Sequence, residues 1–125
     1  HIHDFMGKVF EKMAKEYLME RAGQGGFPIL TEITDYQAAA FDENKKIKQI
    51  ELNLLGKNGR NIQLIGECKF RKSQFDKDEY EKLLEKVKYM PAADPVICIF
   101  SLGGFSDYVR ENAKNCMLIE IDDMY

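Results

Sequence analysis

Several absences narrow this chain before any motif is weighed. It has no excess of positive charge: 18 lysines and arginines stand against 21 aspartates and glutamates, a net charge of −3. A nucleic-acid interface must therefore be a local patch, because no global basic field exists to supply one. Cysteine is sparse, and Cys68, Cys98 and Cys116 lie far apart with no paired spacing of the kind that holds a structural metal. Cys68 and Cys98 fall inside apolar runs, where a free thiol behaves as a small hydrophobe. All three read as reduced, and the chain as cytoplasmic. No apolar run approaches the length of a membrane span, and no stretch resembles a signal peptide. Neither Gly25-Gly26 nor Gly103-Gly104 fits a phosphate-binding loop, so both pairs read as turns and no ATP site is expected.

What is present suits one globular domain. The 125 residues are 45% hydrophobic and 31% charged, enough to build a core, with no repeat, low-complexity stretch or domain boundary. The chain opens His1-Ile2-His3-Asp4 without an initiator methionine and reads as a piece of a longer polypeptide. His1 and His3 mimic a metal pair in spacing but sit where a terminus frays.

Periodicity gives the elements. Phe5 to Arg21 reads as a helix with a stripe of Met6, Phe10, Met13 and Tyr17, widened by Val9 and stopped by glycines from Gly23. Ile29 to Phe41 reads as a strand, followed by a turn at Asp42-Glu43-Asn44. Ile47 to Leu55 alternates as a strand, Gly56-Lys57-Asn58-Gly59 signals a hairpin, and Asn61 to Phe70 forms the next strand. Asp76 to Tyr89 is helical, charged on one side and carrying Leu83, Leu84 and Val87 on the other, with Met90-Pro91 as its stop. Pro95 to Leu102 is a continuous apolar run, the pattern of a strand buried on both faces. Ser106 caps a short helix to Lys114, and Met117 to Ile121 is a last strand. The expected fold class is α/β, a mixed sheet with helices on both faces in the order αβββαβαβ.

One run carries chemistry. In Gly66-Glu67-Cys68-Lys69-Phe70, Glu67 and Lys69 share one side of an extended strand, because side chains there repeat every second residue. A carboxylate that ligates a divalent cation beside an ammonium that orients water suits phosphodiester hydrolysis. Such a pair is also common on solvated strands, so its neighbours decide its weight.

Those neighbours resemble the PD-(D/E)XK nuclease superfamily, the restriction-endonuclease-like fold. In finer detail they resemble the nuclease-like C-terminal domain of archaeal-type ATPases. The resemblance rests on Gly7-Lys8-Val9-Phe10-Glu11, on Gly66-Glu67-Cys68-Lys69-Phe70, and on Ile99-Phe100-Ser101-Leu102-Gly103-Gly104-Phe105. The ending Leu118-Ile119-Glu120-Ile121-Asp122 completes it. It implies one nuclease-like domain over residues 1–125, the C-terminal fragment of a longer ATPase chain, with Mg²⁺ or Mn²⁺ as cofactor. It also implies roles. Glu67 would ligate the metal with the Cys68 carbonyl as neighbour, Lys69 would position the attacking water, and Glu11 would assist through water.

The family's central aspartate falls on Asn53, where this sequence departs from the pattern. An amide oxygen coordinates but brings no charge. Glu51, two residues earlier, lies about 7 Å away along the strand. A shared site also sets a condition on register. A two-residue turn at Asn58-Gly59 would face Asn53 with Leu64, on the wrong side of the sheet for Glu67, so an odd shift is expected.

Lys57, Arg60, Lys69, Arg71 and Lys72 supply candidate phosphate contacts to DNA, with Glu67 the one acid between Lys57 and Lys72. A solvated hairpin tip explains the same charges. Two functions stay open: a metal-dependent DNA phosphodiesterase attached to an ATPase domain, and an inactive nuclease-fold module for binding or assembly. Self-association fits either, and the apolar strand Val96 to Phe100 would serve it if it lay near an edge, which sequence does not decide.

Overall fold

A computed structural model describes residues 2–124. The elements run α1 (Ile2–Arg21), β1 (Glu32–Phe41), β2 (Ile47–Asn58), β3 (Asn61–Lys69), α2 (Lys77–Lys88), β4 (Val96–Ser101), α3 (Asp107–Asn112) and β5 (Met117–Ile119). A 3₁₀ turn, Ile121–Met124, follows. This is the mixed α/β order read from periodicity, with the last strand shorter than expected.

The five strands lie in sequence order. The first three pair antiparallel, joined by tight hairpins, and β3, β4 and β5 run parallel. Parallel neighbours need crossovers, and α2 and α3 supply them on one face of the sheet. There Ile50, Leu52, Leu55, Ile65 and Ile99 pack with Tyr80 and Leu83 of α2 and Val109 of α3. On the other face Leu54, Leu64, Cys68, Cys98 and Phe100 meet Phe10, Ala14 and Leu18 of α1. The buried seam of α1 thus lies one residue along from the expected stripe. Met6 is exposed, and Tyr17 meets the Phe100 ring edge-on from the flank. Alanine at position 14 explains the difference, since a small side chain lets the helix settle close to the sheet.

Ser106 is the expected N-cap, whereas Asp76, read as the first residue of its helix, caps it instead. Asp76 accepts from the Glu79 N–H at the start of α2, and Ser106 accepts from the Val109 N–H at the start of α3. Strand β4 lies between β3 and β5, so the apolar run Val96 to Phe100 is interior and not an edge. Burial on both faces made it apolar.

The β2–β3 hairpin turns two residues later than expected. Pairing continues to Asn58↔Asn61, with Gly59 and Arg60 as the turn and φ of +63° at Gly59. Gly56 is a strand residue, where a Cβ would come within 3.0 Å of Leu64 Cβ. The glycine serves close packing there. The expected odd shift is present between Gly56 and Lys57, and the ladder reaches Leu54↔Gly66. A second irregularity sets Asn53 and Leu54 of β2 against Asp35 alone, between Thr34 and Tyr36 of β1.

Candidate functional site

Alternation along β3 decides where its chemistry points. Ile65 belongs to the core under α2, whereas Leu64 and Cys68 belong to the core under α1. Glu67 and Lys69 therefore share the α2 face, as the strand period requires. Helix α2 runs back antiparallel to β3, so its N-terminal turn covers the strand's end and its last turn covers Glu67.

Glu67 is 4% exposed. Its Oε1 accepts from Lys86 Nζ at 2.7 Å. About two turns towards the start of α2, Glu79 faces Arg71 at 2.8 Å and Lys69 at 3.4 Å. The Arg71 guanidinium, with Lys69 beside it, holds the Glu79 carboxyl below its ordinary range. The motif pair thus takes part in a charge ladder between sheet and helix. Glu79, Leu83 and Lys86 stand at the i, i+4, i+7 spacing of one helix face, with Leu83 buried between the two ion pairs.

Cys68 faces α1. Burial raises its thiol far above the usual range, and the nearby Glu11 and Glu67 carboxylates add to this. Burial likewise pushes the Cys98 thiol up to about 12. Neither is a nucleophile in this fold. Glu11, Gly7, Lys8, Cys68 and Phe70 line an open depression of about 480 Å³ together with His3 and Asp4. His3 belongs to α1 rather than to a frayed end, its ring 5.5 Å from that of Phe70. His1 lies outside the described residues.

Asn53 has a definite role. Its Oδ1 accepts from the Cys68 N–H at 2.9 Å. The irregular stretch of β2 falls where the ladder to β3 ends, and the amide side chain supplies an acceptor to a β3 donor there. A buried N–H left without an acceptor is costly, which accounts for a polar residue at this position.

The sequence-derived candidates therefore divide. Glu67 and Lys69 come together on the α2 face, whereas Glu11 and the Cys68 thiol lie together on the α1 face. Asn53 reaches the Cys68 backbone between them. Glu51 is exposed and pairs with Gln37 of β1, beyond the end of the β2–β3 ladder. Lys57 and Arg60 mark one end of β3 and Arg71 and Lys72 the other, about 25 Å away at the rise of a strand. These five cations do not form one patch, and Lys69 and Arg71 are both paired with Glu79. Lys86 and Glu79 are the partners that strand periodicity alone did not name. Their seven-residue spacing, matched to Glu67-Cys68-Lys69, was the available trace.

A Mg²⁺ or Mn²⁺ ion needs several oxygen ligands gathered at one point. Here the Glu67 carboxylate holds an ammonium, the Asn53 oxygen holds a backbone N–H, and Glu11 is across the sheet. Among the described residues no three His, Cys, Asp or Glu side chains converge on a metal-sized point. The residues present do not fit the ion. Among the described residues no helix is long and apolar enough to cross a membrane.

The Glu79 cluster gives a pH-dependent expectation. A carboxyl with a lowered folded pKa adds stability above its unfolded value, about 4.3, and loses it as pH falls through the folded value. Glu79→Gln should therefore cost about 1 kcal/mol at pH 7. The gap to the parent should hold down to about pH 5 and close towards pH 3 in urea unfolding series. A gap that stays constant at pH 3 would contradict this cause.

Fold and site together define a mixed α/β domain with a sheet-to-helix charge ladder at its Glu-x-Lys motif. The model of the DUF234 family, described as Archaea bacterial proteins of unknown function, matches residues 1–86. The chain belongs to that family. No curated protein and no solved structure matches it.

Proposed function

We propose that this chain is a restriction-endonuclease-like domain used for binding or assembly, in which the motif that cleaves DNA in active relatives holds a helix to the sheet. The observation that carries this reading is the Glu67–Lys86 ion pair, 2.7 Å long with the carboxylate buried. A metal ligand must offer its oxygens to a cation, and Lys86 already takes that place. The resemblance supplies the setting, a domain joined to an ATPase of the same polypeptide, with DNA as a candidate ligand through Arg60, Lys57 and Lys72.

The register shift favours a second reading. It sets the β2–β3 register at Leu54↔Gly66, which extended by one residue would bring Asn53 opposite Glu67, as a shared site requires. In that reading Glu67 and Lys69, if parted from Lys86 and Glu79, would be the residues to serve metal-dependent hydrolysis.

A plasmid-nicking assay with Mg²⁺ and with Mn²⁺ separates the two. The expected result is no nicking by the parent chain or by Lys69→Ala. Cleavage that disappears in both Glu67→Gln and Lys69→Ala would establish the second reading and end the first.

A further inference from the structure

The outer edge of the sheet carries an inference that is independent of whether nucleic acid is cut. Strand β1 is outermost, and among the described residues no strand pairs with its free side. Edge strands of monomers are usually blunted by lysine, by proline or by an inserted residue that kinks them. Over Glu32–Phe41 there is no lysine, arginine or proline. The extra residue of the β1–β2 irregularity belongs to β2, so β1 itself carries no insertion. Its charges are confined to Glu32 and Asp35, and Asp35 is held by Lys15 at 2.6 Å. Tyr36-Gln37-Ala38-Ala39-Ala40-Phe41 is left uncharged. At its end Phe41 and Ile47 are cross-strand partners, 69% and 67% exposed.

This edge is complementary to itself in one register. In antiparallel pairing of two copies about a twofold axis at Ala38, Ala38 meets Ala38, Gln37 meets Ala39, Tyr36 meets Ala40, and Asp35 meets Phe41. Beyond them Thr34 approaches Asp42 and Glu32 approaches Asn44. No like charges oppose. Moving the axis to Gln37 sets Glu32 against Asp42, and moving it to Ala39 sets Asp35 against Glu43. Asp42 and Glu43 stand in the turn just past β1, where an approaching acid is repelled, so both neighbouring registers are disfavoured. In the Ala38 register each Phe41 lies beside Ile33 and Gln37 of the other copy, which covers the exposed ring.

We infer that two copies of this chain join through β1, antiparallel about Ala38, so that two five-stranded sheets become one continuous sheet. The pairing also disposes of the row of free N–H and C=O groups that an unblunted edge otherwise presents.

Sedimentation equilibrium on the whole chain, from micromolar to near-millimolar concentration, is the test. The mean mass should climb from 14.5 kDa towards twice that value. Ala39 is exposed on the open face of β1, so Ala39→Lys should keep the fold while weakening the dimer about tenfold or more. Opposed Cβ atoms on paired strands are about 4.5–5.5 Å apart, so Ala38→Cys should form a disulfide-linked dimer on mild oxidation. The parent, with its own three cysteines, and Ala40→Cys should not. A chain that stays monomeric throughout overturns the inference. So does a dimer that Ala39→Lys leaves unweakened or that Ala38→Cys fails to lock.

Discussion

Lys86→Met should destabilise the chain by about 3 kcal/mol and lower its urea midpoint by about 2 M. The reason lies in what remains. Glu67 is 4% exposed, and with Lys86 gone its carboxylate has lost the cation that Oε1 contacts at 2.7 Å. An uncompensated buried charge costs far more than an exposed pair gains, which sets this variant apart from Lys88→Met. Lys88 bridges Glu85 with 65% of its own side chain exposed, and its loss should leave the urea midpoint almost unchanged. Total stability of a domain this size is about 5–15 kcal/mol, so the Lys86 effect is a large share of it. An equal, small effect for the two lysines in urea unfolding would show that Glu67 does not need its partner.

Gly66→Ala should cost about 3 kcal/mol, although glycine at a nuclease-like motif is easily taken for a catalytic requirement. A Cβ at position 66 would stand 2.6 Å from the Cys98 carbonyl oxygen and 3.0 Å from Leu54 Cδ1. The first obstacle is backbone of β4, tied to β3 by the parallel ladder through Gly66↔Cys98, so it has no rotamer by which to yield. The second is a core side chain under α1. Relief requires the two central strands to separate, in the most buried part of the sheet. Wild-type stability for Gly66→Ala would mean that β3 and β4 are not packed this closely.

The element order and the Ser106 cap were legible because they depend on local rules. Alternation, apolar runs and capping residues act over a few positions, and Ser106 caps the helix it precedes. The seam of α1 was displaced by one residue, because Ala14 counts little in a hydrophobic pattern and much in close helix-to-sheet packing. The hairpin turn was placed too early. Gly56-Lys57-Asn58-Gly59 contains two glycines, and sequence alone does not separate the one needed for positive φ from the one needed for space. The odd register shift was inferable only as a condition on a shared site, and its position at Gly56/Lys57 was not.

The site was less legible, for a different reason. Glu67 and Lys69 are correctly two residues apart on one strand face, but their partners come from a helix about ten to twenty residues later. Which turn of α2 lies over which rung of β3 depends on the length of the Phe70–Asp76 connection and on the crossover's packing. Asn53 illustrates the same limit. It stands at the position where the resemblance expects an aspartate, and its oxygen serves the Cys68 N–H at 2.9 Å. That bond follows from irregular strand pairing that no short motif encodes.

The most direct measurement is the coupling free energy between Glu67 and Lys86 in a double-mutant cycle. The cycle compares the parent, Glu67→Leu, Lys86→Met and the double variant by urea unfolding in the absence of divalent metal. If the motif carboxylate holds α2 to the sheet, the coupling is about 2 kcal/mol or more, and the double variant, with an apolar pair, is more stable than Lys86→Met alone. A coupling below about 0.5 kcal/mol, the range of an exposed ion pair, would contradict that role and return Glu67 to the metal-site reading.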